Sequence, residues 1–364
     1  MRTIDLRSDT ITLPTPQMRE AMFRADIGDD VYGEDPSVNR LEEYCAKLLQ
    51  KEAALFVSSG TMGNLIALLT HCQRGEQAIV GDKSHIAIWE QSGSSTFGGI
   101  SLKTIKNKDD GTFDLDEIER AINPENIHLA RTKMIGLENT WNGNPLSIEY
   151  LKAVKKIASK HGLKLHLDGA RLFNAAIANG CEPVELVRDL DSIQFCFSKG
   201  LAAPVGSMLC GTKSFISESR RMRKALGGGT RQAGVLAAAC QVALETMIER
   251  LAEDHENAKV LADGLSQITA LKVLPCKNRT NMVFFHSADP AVSNAQLCQR
   301  LKESQILAGV YDFEFGVRAV THYGISKEDI KEVIERVKTL FTSPTSLSAK
   351  NLAADSLSTM PKSK

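Results

Sequence analysis

Between Asp191 and Cys210 the chain reads "DSIQFCFSKGLAAPVGSMLC", which sets Lys199 between two apolar runs. An ammonium in that setting needs water, an ionic partner or a covalent bond. Upstream, in "LHLDGARLFNA" (165–175), Asp168 closes another apolar run, where an unpaired carboxylate would be costly. A carboxylate there can hold a protonated ring nitrogen. Ala170 offers a small flat contact for a ring face, and Arg171 a forked donor for a carboxylate or phenolic oxygen. Further upstream, "SSGTMGN" (58–64) lies between a strand-like and a helix-like segment. Its glycines, Gly60 among them, let backbone amides approach an anion. Ser59 and Thr61 add hydroxyls, and the helix N-terminus adds its dipole. The stretch lacks the lysine of a nucleoside-triphosphate loop and the full dinucleotide fingerprint.

Taken singly, these segments also fit plainer roles: a strand-to-helix turn, or an Asp–Arg bridge capping a helix. Their combination is more specific. An anion cradle, a strand-end carboxylate and a strand-end lysine, in that order, are the anchors that pyridoxal 5′-phosphate requires. Two histidines lie where they could work on such a ring. His85 in "GDKSHIAIWE" follows a strand-like "AIVG" and could stack over the ring, and His128 in "NIHLARTKMI" could reach a substrate hydroxyl. The other six histidines, His71 and His166 included, read as structural. Arg318 interrupts the apolar "VRAVTH" and could bind an amino-acid carboxylate, while Arg231 follows three glycines in "LGGGTRQAG". No metal site is expected, because none of the eight cysteines forms a C-x-x-C pair.

Positioning these groups calls for alternating strands and helices. Apolar runs at 53–57, 132–138, 163–168 and 192–197 alternate with helical patterns such as Ser147–Lys160, which reads as α/β with a mostly parallel sheet. A long helical region from Gly234 leads to a smaller α+β unit with strand-like 281–285 and 317–322 and helices near 294–304 and 327–341. The expected division is a large cofactor-binding domain with an N-terminal arm over 1–250, a small domain over 251–341, and a disordered tail over 342–364. The 364 residues carry 44 Lys plus Arg against 44 Asp plus Glu, which gives no field favouring nucleic acid or an anionic membrane. With no signal-like segment and no long apolar run, the cytosol is the expected compartment.

The segments "DLRSDTIT", "GDDVYGEDPSVNRLE", "EAALFVSSGTMGN", "NIHLARTKMIGLENT", "HLDGARLFNA", "FCFSKGLAAPVGS", "LGGGTRQAGVLAAA" and "VRAVTH" together resemble the low-specificity L-threonine aldolases. The resemblance spans roughly residues 4 to 340 and implies a fold-type-I pyridoxal-phosphate enzyme. Lys199 then matches the Schiff-base lysine and Asp168 the partner of the pyridine nitrogen. Ser59, Gly60 and Thr61 match the phosphate loop, His85 the residue stacked on the cofactor, and His128 the one placed toward the β-hydroxyl. Arg171, Arg318 and Ser8 match the groups that hold the substrate carboxylate, Arg171 lying against the cofactor as well. Arg231 matches an arginine of the cofactor or substrate site near a subunit boundary. The resemblance also implies a homotetramer, a dimer of dimers. Many members read "ENTH" where this chain has Trp141, so an indole stands where an imidazole is usual. Two readings remain beside threonine cleavage: another reaction on the same cofactor (β-elimination, racemisation or transamination), and a cofactor-binding module without turnover.

Overall fold

The apolar runs that close on Asp168 and Cys196 are buried on both faces, as the central strands of a parallel sheet must be. The computed structural model describes residues 2–312 and 315–342; the expected tail lies, from 343 on, outside them. In chain order the strands are β1 (Ile4–Asp5), β2 (Ala53–Val57), β3 (Gln77–Gly81), β4 (Ser101–Ile105), β5 (Thr132–Glu138), β6 (Lys164–Asp168), β7 (Ser192–Cys196) and β8 (Ser207–Gly211). They continue with β9 (Leu271–Val273), β10 (Met282–Ser287), β11 (Ile306–Leu307), β12 (Gly309–Asp312) and β13 (Gly316–Val320). Among the described residues the large sheet runs β2-β8-β7-β6-β5-β3-β4, with β8 antiparallel to both neighbours and every other pair parallel. This arrangement brings the carboxyl ends of β2, β3, β5, β6 and β7 to one edge, where open α/β sheets bind ligands.

The second sheet is antiparallel, in the order β12-β13-β10-β9. Its core gathers Leu261, Val283, Leu297, Val317 and Ile330, and it includes Ile4 and Leu6 from the start of the chain. There β1 pairs with β11, and Leu6 accepts a hydrogen bond from the Val320 amide at 2.8 Å. The N-terminal segment therefore packs on the smaller unit before it reaches the large one. The helix Leu251–Ser266 joins this second core to the first, which packs against the large sheet around Leu137, Leu165, Ile193 and Phe195: Leu251 belongs to the first, Ala258 and Leu261 to the second. The continuous helical region expected from Gly234 is broken in two, into Gly234–Thr246 and Leu251–Ser266. No helix among the described residues is long and apolar enough to cross a membrane.

Alternation along β7 divides its work between two faces. Phe195 points into the first core, edge-on to Phe173 at 5.2 Å and to Phe197 at 5.1 Å between ring centroids. Gln194 and Cys196 point to the other face, under the helix Gly60–His71. Phe195→Ala should therefore lower the free energy of unfolding by ~3–5 kcal/mol, measured as a shift of the urea midpoint. A loss below about 1 kcal/mol would contradict the packing described.

Candidate active site

Strands β6 and β7 run in register, with His166 opposite Ser192 and Asp168 opposite Gln194. A period of two puts all four side chains on one face of the sheet, with Asp168 at the carboxyl end of β6 and Ser192 at the start of β7. Asp168 is buried and met by three donors. Its Oδ1 accepts from Gln194 Nε2 at 2.6 Å and from the Ala170 amide at 3.1 Å, and its Oδ2 accepts from Asn64 Nδ2 at 2.8 Å. Asn64 Nδ2 also donates to Glu90 Oε1 at 2.8 Å, and His85 Nδ1 lies 2.9 Å from the same oxygen. The His85 amide donates to Glu138 Oε2, at the end of β5, at 2.7 Å. His85, Glu90 and Asp168 thus bring one polar atom each within 4.8 Å of one another, and the bridging amide of Asn64 accounts for the cluster through hydrogen bonds.

Charges in this corner move one another's titration. Burial pushes His85 down, but the hydrogen bond to Glu90 and the charges of Asp168, Glu90 and Glu138 outweigh it and hold the imidazole above its usual range. Burial pushes Glu90 up, with Asp168 adding to the rise. Glu138 is pushed up as well, by burial and by the Asp168 charge.

The helix Gly60–His71 starts beside this cluster. Ser59 caps it, its Oγ accepting from the Met62 amide at 3.2 Å, which leaves the hydroxyl proton free to meet an anion. A Cβ on Gly60 would fall 2.9 Å from Cys196 Sγ, so glycine is what allows the helix to begin directly on β7. Thr61 is exposed in the first turn. Lys199 sits in the turn after β7, its carbonyl accepting from Thr12 Oγ1 at 3.1 Å. Among the described residues its Nζ has no ionic or hydrogen-bond partner, and its charge reaches both Asp9 and Glu138.

Arg171 does not bridge to Asp168. It grips Asp9 with two 2.7 Å bonds, Nε to Oδ2 and Nη2 to Oδ1, and Asn281 Nδ2 also donates to Oδ2 at 3.2 Å. Burial alone would raise Asp9, but Arg171, Lys199 and Asn281 together hold its carboxyl well below the usual range. Asp9 lies within "DLRSDTIT", where no local feature of the sequence marks it as a buried anion. Arg318 lies opposite. Its Nη2 donates to the Arg7 carbonyl at 3.2 Å, its guanidinium stands 4.7 Å from the Tyr311 ring centre, and its buried Nε has no partner among the described residues. Burial and the Arg171 charge push Arg318 down. Ser8 is half-buried on the same segment as Asp9, its Oγ accepting from the Thr10 amide at 3.2 Å.

Three residues singled out from the sequence stand apart. His128 is exposed ahead of the amino end of β5, the opposite edge of the sheet, and β5 spans ~20 Å. Within one chain it does not join His85. Arg231 is exposed and paired with Asp29 Oδ2 at 2.9 Å, although its loop comes close to the start of the helix Gly60–His71, where a Cβ on Gly228 would fall 2.8 Å from Met62 Sδ. Trp141 is buried edge-on to Phe315 at 5.5 Å, its backbone paired with Asn144, so its described contacts are those of packing.

Residues 5–288 match the β-eliminating lyase family. The chain is 49% identical over 337 residues to low-specificity L-threonine aldolase 1 of Arabidopsis thaliana, covering 91% of this chain and 94% of that protein. It is 45% identical to the low specificity L-threonine aldolase of Escherichia coli K12, covering 91% and 97%. The chain belongs to the low-specificity L-threonine aldolase family. A threonine aldolase of Leishmania major shares the fold, with a TM-score of 0.80 at 21% identity over 93% of this chain and 99% of that one.

His85 is a group that can take up and return a proton near neutrality, and its hydrogen bond to Glu90 makes that behaviour measurable. Followed by NMR, the His85 ring should titrate above the ordinary imidazole value of about 6.5. Glu90→Gln removes the charge that favours the imidazolium, so the midpoint should move to lower pH. An unchanged or higher midpoint would remove Glu90 as the cause.

Proposed function

We propose that this enzyme cleaves L-threonine, L-allo-threonine and other β-hydroxy-α-amino acids between Cα and Cβ, giving glycine and an aldehyde, with pyridoxal 5′-phosphate at the carboxyl edge of the large sheet. The observation that carries this reading is Lys199, an amine without a partner among the described residues in the turn after β7, whose charge acts to lower the Asp9 and Glu138 carboxyls. The residues present fit the cofactor. Ser59, Gly60 and Thr61 at a helix N-terminus suit its phosphate, Asp168 its ring nitrogen, His85 a ring face, and Lys199 its carbonyl carbon. When bound, the cofactor supplies an electron sink for the bond that breaks.

The chain's own residues select that bond. Arg171, steered by Asp9, and Arg318 present two guanidinium forks, and Ser8 a hydroxyl, toward a substrate carboxylate. The unpaired Nε of Arg318 is the donor with most to gain from it. Holding the carboxylate would fix the substrate's orientation and so which bond at Cα is broken, which would separate cleavage from transamination or racemisation. His85, its Nδ1 tied to Glu90, offers Nε2 to the β-hydroxyl proton. His128 and Arg231 would serve a site only from a neighbouring copy, in keeping with a homotetramer. Exposed Leu13, Phe23, Tyr32 and Ile127 supply apolar surface for such contacts. The eight free cysteines favour a cytosolic setting, and a small amino acid is the expected partner rather than nucleic acid or a membrane.

The test is product analysis of the cofactor-loaded protein with threonine, allo-threonine and phenylserine. Equal amounts of glycine and the corresponding aldehyde are expected. Pyruvate or another keto acid would place the chain among the other reactions of this cofactor, and no turnover would leave a binding module. In the same assay Arg318→Lys should lower kcat/KM about tenfold or more, since an ammonium cannot reproduce the fork, while the absorbance of bound cofactor persists.

A further inference from the structure

Behind Asp168 lies a set of buried polar side chains that the reaction outlined above does not use. Asn64 and His71 stand seven residues apart on the helix Gly60–His71, and so share the face laid against β6 and β7. Asn64 Oδ1 lies 3.1 Å from His166 Nε2, His166 Nδ1 lies 2.8 Å from Ser192 Oγ, and Ser192 Oγ lies 2.7 Å from His71 Nε2. Asn64, His166 and Ser192 are buried, and His71 is stacked on Phe215 with ring centroids 4.4 Å apart.

The chemistry of the partners gives this chain one direction. Asn64 turns its amide nitrogen to two carboxylate oxygens, of Asp168 and Glu90, so its carbonyl oxygen must face His166. His166 Nε2 then carries the proton. In a neutral ring Nδ1 is bare and accepts from Ser192, whose oxygen in turn accepts from His71 Nε2. Burial favours the neutral rings, pushing His166 down to about 4 and His71 to about 3. A second, shorter chain ends on the other oxygen of the same carboxylate: Ser207 donates to Cys196 Sγ at 3.2 Å, Cys196 to Gln194 Oε1 at 3.8 Å, and Gln194 to Asp168 Oδ1.

We propose that Asn64, His166 and Gln194 are positioning residues for catalysis: two one-way hydrogen-bond chains, His71–Ser192–His166–Asn64 and Ser207–Cys196–Gln194, end as donors on the two oxygens of Asp168 and hold it as an acceptor aimed at the cofactor's ring nitrogen. His166 supplies the donor that meets Asn64 Oδ1 and so pins the amide from behind. A leucine there leaves that buried oxygen without a donor and loosens the hold of Asn64 Nδ2 on Asp168. Glutamine keeps one donor and one acceptor at similar reach.

The inference rests on the assignment of Asp168 to the ring nitrogen, and the test separates the two. The protein is loaded with cofactor labelled with 15N in the ring, and the nitrogen signal is compared in native protein, Asp168→Asn, His166→Leu and His166→Gln. Asp168→Asn should move the signal toward the unprotonated position; if it does not, the assignment of Asp168 fails first. Given that movement, His166→Leu should shift the signal in the same direction and lower kcat about tenfold or more with little change in KM, and His166→Gln should restore both. If His166→Leu does not fold, Ser192→Ala, which interrupts the same chain one step back, should produce a shift of the same sign. A nitrogen signal that stays at its native position in the folded His166 or Ser192 variants, with only the melting temperature lowered, would make the chain structural and overturn the proposal.

Discussion

A carboxylate buried at the end of a central strand is costly unless donors meet it, and the architecture around Asp168 follows from that requirement. Three donors reach its two oxygens, and each comes from a different part of the chain: Asn64 from the helix after β2, Gln194 from β7, and Ala170 from the turn that follows β6. For Gln194 to lie alongside, β7 must run parallel to β6 in register. For Asn64 to reach in, its helix must approach β7 closely, and Gly60 and Gly63 permit this, a Cβ on Gly63 falling 3.2 Å from Gln194 Cβ. The same close approach aims the helix N-terminus at the carboxyl edge. The placement of the helix N-terminus and the buried carboxylate are therefore consequences of one packing arrangement.

The second constraint is the Asp9–Arg171 pair, which joins the two cores. Asp9 belongs to the N-terminal segment held on the small sheet, whereas Arg171 caps the helix that follows β6. Asn281, one residue before β10, completes the junction, and Thr321 just after β13 carries the Asn281 side chain on its carbonyl. A buried, two-point ion pair is worth little against apolar packing of the same volume but is expensive to break, so it fixes relative position more than it adds stability. It fixes the relative position of Arg171 and Arg318 across that junction, as the proposed carboxylate clamp would demand.

Much of this was legible in the sequence wherever a charged or polar residue interrupted an apolar run. Lys199, Asp168 and Arg318 announced themselves that way, and the strands at 53–57 and 132–138 followed from length and composition, as did the one expected at 192–197, which ends one residue earlier, at Cys196. Partners brought together from distant segments were not legible. Asp9 sits 162 residues from Arg171, and nothing local marks it as a buried anion. Glu90 follows His85 by five residues and reads as an ordinary helix-end acid until the fold turns it toward Asn64. His71 and His166 read as structural histidines, His166 buried and His71 half-buried; only the register of β6 against β7 shows that they are joined through Ser192. The break near 247–250 escaped because Met247 and Leu251 keep the apolar spacing of one helix running across it.

The proposed chemistry turns on a single covalent site, Lys199, the amine that the fold leaves without a partner among the described residues. Borohydride reduction of the cofactor-loaded protein, followed by digestion and mass spectrometry of the peptides, reads that site directly. The reduced cofactor should be found on the peptide carrying Lys199 and on no other. Its recovery on a different lysine, such as Lys83 near the end of β3, would contradict the assignment and with it the roles given to Asp168 and the helix N-terminus.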